Sequence, residues 1–82
     1  MKFKEGDVVK YVTNHYGDDK YNPRWGGSQG KIAGVISIVT EYGIYNVNWD
    51  NGHNNSSYID EDLELIKPME PIDVRKLNKK LI

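Results

Sequence analysis

The chain has no cysteine, which removes disulfide bonds, thiolate metal sites and a cysteine nucleophile together. Its two histidines, His15 and His53, lie far apart. Neither has an Asp, Glu or His at metal-ligand spacing, so both are expected in solvated loops, and no metal or other cofactor is expected. No apolar run approaches the ~20 residues of a membrane span. The start Met1-Lys2-Phe3-Lys4-Glu5-Gly6 lacks the apolar stretch of a signal peptide, so a cytoplasmic protein without a membrane partner is expected. Gly26-Gly27-x-x-Gly30 lacks the Lys-Ser/Thr ending of a phosphate-binding loop. No nucleophile–base pairing stands out, and an enzyme is not expected. Ala33 is the one alanine, whereas Asn, Lys, Ile and Tyr are plentiful. That bias suits an AT-rich genome, such as that of a low-GC bacterium or a phage.

What remains is enough for one small domain. A chain of 82 residues buries only about 60% of its unfolded surface, so its core is modest. Hydrophobic residues at 38% and aromatics at 11% place it outside the disordered class. Charge is zoned. Residues 1–40 carry six basic and four acidic side chains, residues 41–73 carry Lys67 against eight acids, and residues 74–82 carry Arg75, Lys76, Lys79 and Lys80 with no acid. Zoning of this kind bears on partners rather than on fold.

Residues 45–58 organise the chain. Tyr45, Val47 and Trp49 alternate with Asn46 and Asn48, the period-2 pattern of a strand buried on one face. Asp50-Asn51-Gly52 supplies the turn, because Asn and Gly tolerate the positive φ of a tight hairpin. Tyr58 and Ile59 anchor the returning arm. Upstream, Lys4-Glu5-Gly6-Asp7 reads as a turn feeding a strand over 8–12. Lys31–Thr40 reads as a second strand, with Gly34 marking a bulge or bend, and Glu41-Tyr42-Gly43 turns the chain again. Leu63-Glu64-Leu65-Ile66 makes a brief last strand after the acidic run Asp60-Glu61-Asp62, read as solvated. Pro68 and Pro71 close the sheet region. Val74, Leu77 and Leu81 then follow i, i+3, i+7 spacing, with Asp73 near the start and Lys79 and Lys80 near the end of an amphipathic helix.

The expected fold is therefore all-β: a small SH3-like barrel of about five short antiparallel strands over 1–67, with a short C-terminal helix in the tail 68–82. An OB-fold suits this length less well, and a Tudor or KOW-type module is an alternative small barrel.

Val47-x-Trp49-Asp50-Asn51-Gly52-x-x-Asn55, followed by Tyr58, resembles the signature of the mind bomb/HERC domain. Gly6-x-Val8-Val9, Trp25-Gly26, Gly30 to Gly34 and Asp62-Leu63-x-Leu65 match in the same order, so the resemblance covers residues 6–66. Two positions depart from the family pattern: Tyr58 falls three rather than two residues after Asn55, with Ile59 where a basic residue is usual, and Gly27-Ser28-Gln29-Gly30 replaces a Gln-Asp-Gly run. The resemblance implies an SH3-like barrel that recognises peptide segments of proteins.

Residues 13–30 hold Tyr16, Tyr21, Arg24 and Trp25 and no aliphatic side chain. A loop this long in a compact domain usually carries function, and Trp, Tyr and Arg are the residues that dominate binding hot spots. These four are the candidate partner-binding residues of a non-catalytic protein- or peptide-binding module, an adaptor or inhibitor. Capping of the barrel end by Trp25 is the structural alternative. Asn55 is expected to bridge backbone groups across the hairpin. The alternative function is a nucleic-acid accessory protein that combines exposed aromatics with Arg75, Lys76, Lys79 and Lys80.

Overall fold

Each stretch with period-2 alternation becomes a strand. The computed structural model describes residues 2–68 and contains β1 (Val8–Tyr11), β2 (Gly34–Val39), β3 (Tyr45–Trp49), β4 (Asn54–Tyr58), a single 3-10 turn (Asp60–Asp62) and β5 (Leu63–Lys67). The expected helix, with Val74, Leu77 and Leu81, and the bases Arg75, Lys76, Lys79 and Lys80 lie outside the described residues. The strands form one antiparallel sheet in the order β4-β3-β2-β1-β5. The sheet is open rather than closed into a barrel. Ile59 and the 3-10 turn carry the chain from β4 to β5, and those two strands become opposite edges instead of pairing.

The hairpin sits where the sequence places it. Tyr45, Val47 and Trp49 are all buried, and Gly52 takes a φ of 88° in the turn. Asn51 accepts the His53 N–H through its side-chain oxygen at 3.1 Å, a local bond that stabilises the turn. Their core neighbours are Phe3, Val9, Tyr11, Ile36, Tyr58 and Leu63, with Ile32 and Val39 packed alongside. Aromatic rings dominate this core and meet edge-on, a geometry their quadrupoles favour. Phe3 and Tyr45 lie 5.4 Å apart at 72°, and Trp49 and Tyr58 5.7 Å apart at 89°.

Gly34 differs from its expected role. It begins β2, and the ladder irregularity between β2 and β3 falls instead between Ile36 and Ile38. Gly34 is glycine because the backbone lies against the core: a Cβ there would stand 2.4 Å from Val47 Cγ1 and 2.5 Å from Trp49 Cε3. Further register shifts occur between Val8 and Val9 opposite β5 and between Tyr45 and Val47 opposite β4. Such bulges bend a sheet and increase its twist, which lets five short strands wrap around one small core.

Gly34→Ala should lower stability by about 1–3 kcal/mol, the usual cost of overpacking. Urea denaturation checks this, and Gly43→Ala is not a suitable control because Gly43 has a φ of 76°. An unchanged midpoint would show that Val47 and Trp49 yield freely.

Candidate functional site

The segment between β1 and β2 has no aliphatic side chains over residues 13–30 and so cannot hold itself down by hydrophobic burial. Polar clamps do so instead. At its start, Asp62 is fully buried and accepts hydrogen bonds from Thr13 Oγ1 at 2.5 Å and from the Ile59 N–H at 3.0 Å, with His15 Nδ1 at 2.6 Å from the same carboxylate. The main chain seals this junction, with the Val12 N–H donating to the Asp62 carbonyl at 2.9 Å. Asp62 is thus a buried structural residue rather than a solvated one, and His15, a half-exposed loop residue as expected, is its partner. Elimination of water around the short 3-10 turn forces the carboxylate to find protein donors.

Further along, Asp18 accepts the N–H groups of Ser28 at 2.8 Å and Arg24 at 3.2 Å. Those backbone donors, Ser28 first, hold its carboxyl below the usual aspartate range. A Cβ on Gly27 would lie 2.2 Å from Asp18 Oδ2, so the carboxylate fits only against a glycine. Asp19 Oδ1 accepts the N–H groups of Tyr21 at 2.7 Å and Asn22 at 2.8 Å. Asn22 is buried, and its side-chain oxygen accepts the Tyr58 hydroxyl at 2.6 Å and Asn55 Nδ2 at 2.7 Å. Asn55 therefore ties β4 to the loop instead of bridging the hairpin. Asn51 adds a bond from Nδ2 to the Lys20 carbonyl at 2.8 Å.

These clamps set the candidate residues in two places. Tyr16 and Tyr21 gather around β4 and the hairpin. The Tyr16 ring meets Tyr58 edge-on at 5.7 Å, its hydroxyl donates to the Ser57 carbonyl at 2.7 Å, and its N–H donates to the Tyr11 hydroxyl at 2.9 Å. Tyr21 lies edge-on to His53 at 4.8 Å, with Lys20 Nζ 5.0 Å from its ring centre. Both tyrosines stay nearly half exposed, at 44% and 45%. His53, read from the sequence as a solvated loop residue, joins this patch through the Tyr21 ring. Trp25 sits beside β1. Its N–H donates to the Tyr11 carbonyl at 2.9 Å, and Lys10 Nζ stands 5.3 Å from its ring centre while also pairing with Glu64 at 3.5 Å. Lys10 alternates with the buried Val9 and Tyr11, so the half-buried indole lies on the outer face of the sheet. Arg24 lies next to it in sequence and reaches back to Asn14 Oδ1 at 3.5 Å, while its Nε is buried without a partner.

Among the described residues no group of three His, Cys, Asp or Glu side chains could hold a metal ion, and no pocket is present.

Two predictions follow from the clamps. Asn22→Ala removes the shorter of the two bonds of the buried Tyr58 hydroxyl and leaves it the Tyr21 carbonyl at 3.2 Å, and should cost about 0.5–1.5 kcal/mol in chemical denaturation; a loss below a few tenths would assign the bond no weight. Tyr58 is pushed above the ordinary tyrosine range by burial, and Tyr45 is raised by burial and by its bond to Asp60. The folded state therefore keeps protons that the unfolded chain releases. Their contribution is fully present below about pH 10 and is lost as pH rises above it. Stability measured from pH 8 to 11 should fall at the alkaline end, less steeply in Tyr58→Phe. Comparison with family models, curated proteins and solved structures finds no match to this chain.

Proposed function

We propose that this domain is a non-catalytic module that binds a protein or peptide segment, with Tyr16 and Tyr21 as its anchors and His53 completing the patch. The observation that carries this reading is the pairing of exposure with restraint. Both rings are nearly half exposed, yet hydrogen bonds to Tyr11, Ser57 and Asp19 fix the main chain or side chain of each. Rings presented in this way bind with little further ordering cost, which is the general source of affinity in preorganised surfaces. Trp25 and Arg24 serve as a neighbouring contact on the β1 side. The resemblance to the mind bomb/HERC domain implies recognition of peptide segments, which agrees with this function. A small bacterial or phage adaptor or inhibitor acting in the cytoplasm fits the composition.

A second reading rests on Lys20 beside the Tyr21 ring and Lys10 beside the Trp25 ring. Aromatic faces next to cations are what single-stranded nucleic acid requires for base stacking and phosphate pairing.

Selection of a displayed peptide library on the wild-type domain, followed by calorimetry with the enriched peptide, separates these readings. Tyr21→Ala should weaken that peptide about tenfold or more while the thermal midpoint stays close to wild type. Affinity unchanged in both Tyr21→Ala and Tyr16→Ala would remove the patch as the site. Binding of an oligonucleotide that weakens steeply with salt, without any enriched peptide, would favour the second reading.

A further inference from the structure

The face of the sheet turned away from the core carries an aliphatic stripe. Val8 alternates with the buried Val9, and Val35 with the buried Gly34 and Ile36, so both point outward, and they stand opposite each other in the β1–β2 ladder. Ile38 joins them. It lies opposite Asn46 as Val35 lies opposite Asn48, and those two asparagines share the outer side of β3. Val35 and Ile38 are 39% and 48% exposed, and Val8 is half-buried. Three adjoining side chains make a contiguous patch rather than scattered surface residues, and no described element covers it.

The chain leaves the described structure beside this patch. β5 and β2 both run antiparallel to β1, so they point to the same end of the sheet, and Lys67 stands opposite Val8. β5 therefore ends one strand from Val8 and two from Val35, about 5 and 10 Å away. Ile38 lies further toward the end at which the chain departs. Residues 69–82, outside the described residues, carry Val74, Leu77 and Leu81 at the spacing of one helical face, with Arg75, Lys76, Lys79 and Lys80 on the other. Along a helix Val74 to Leu81 would span about 10 Å, the same as the ~10 Å from Val35 to Ile38 along β2.

We propose that residues 71–82 dock on the outer face of the sheet as an amphipathic helix, with Val74, Leu77 and Leu81 covering Val8, Val35 and Ile38. Pro68-Met69-Glu70 supply a connection of ordinary length, and Pro71 takes the first helical position. The point of departure sets the direction. The helix starts near Ile38 and runs back along β2, which brings Val74 toward Ile38 and Leu81 toward Val8 and Val35. A helix of three turns is marginal in isolation and needs such a face to pack on. Tethering favours this segment over a free partner, because a short linker holds it at high effective concentration. The four bases then face solvent.

The chain has no cysteine, so Asn78→Cys gives one attachment point for a nitroxide, beside the stripe and not in it. In the full spin-labelled chain, the methyl signals of Val8, Val35 and Ile38 should be broadened more strongly than those of Val47 and Ile59. That preference should be lost when Leu77→Asp is added, and likewise with Ile38→Asp for the remaining two valines, while the amide spectrum of residues 2–68 stays folded. An isotope-labelled chain without nitroxide, mixed with a nitroxide-bearing chain without isotope, should show no broadening. Uniform or absent broadening, broadening centred on Ile59 and Leu65, or a preference that survives Leu77→Asp would overturn the proposal. Broadening in the mixed sample would assign the face to a second copy and overturn it as well.

Discussion

A phenol ring buried in a hydrophobic core brings with it a hydroxyl that must be hydrogen-bonded, and this domain buries three of them. Tyr11, Tyr45 and Tyr58 are completely inaccessible, and an unpaired hydroxyl at any of these positions would cost about 1–3 kcal/mol. The N-terminal segment and the 3-10 turn answer Tyr45, and the segment after β1 answers the other two. The Tyr45 hydroxyl donates to Asp60 at 2.5 Å and accepts from the N–H groups of Lys2 at 3.1 Å and Phe3 at 3.2 Å. The Tyr11 hydroxyl accepts from the Tyr16 N–H, and the Tyr58 hydroxyl donates to Asn22. The aromatic core thereby dictates where the N-terminal segment, the 3-10 turn and both ends of the Tyr16–Asn22 stretch must lie.

This arrangement suits a chain too small to bury much aliphatic surface. Residues 13–30 contribute no aliphatic side chain, and carboxylates and amides take over the work that leucines would do in a larger domain. Asp62 closes the start of the segment, Asp19 and Asn22 hold its middle, and Asp18 fastens the Arg24 and Ser28 turns. Directional bonds fix position more tightly than burial alone. Tyr16 and Tyr21 are consequently presented to solvent in a defined geometry rather than on a loose loop. The same bonds cover the β4 edge through Ser57 and Asn55.

Five strands, their limits to within a few residues and the buried set Tyr45, Val47 and Trp49 were legible because each depends on local alternation and on turn residues such as Asn51-Gly52. Closure of the sheet was not, since it depends on whether β4 and β5 meet, and no local pattern encodes that. Gly34 was visible as special, but a glycine that bends a strand and one that admits a neighbouring indole look alike in sequence. Asp62 sits in an acidic run whose members read as solvated, and its burial follows from long-range contacts with Thr13 and His15. Asn22 and Asp19 carry a weak local signal, because Asp before a turn that ends in Pro23 suits a side-chain-capped turn. The separation of Trp25 from Tyr16 and Tyr21 follows from the bond of its N–H to Tyr11, another contact that sequence spacing does not show.

The dependence of the loop on the core hydroxyls is tested most directly by amide hydrogen exchange in Tyr11→Phe, which keeps the ring and deletes the acceptor of the Tyr16 N–H. Exchange at Tyr16 should accelerate about tenfold or more beyond any change at the core amide of Val47, as local opening separates from global unfolding. Equal acceleration at the two amides, or none at Tyr16, would contradict a loop held in place by the tyrosines beneath it.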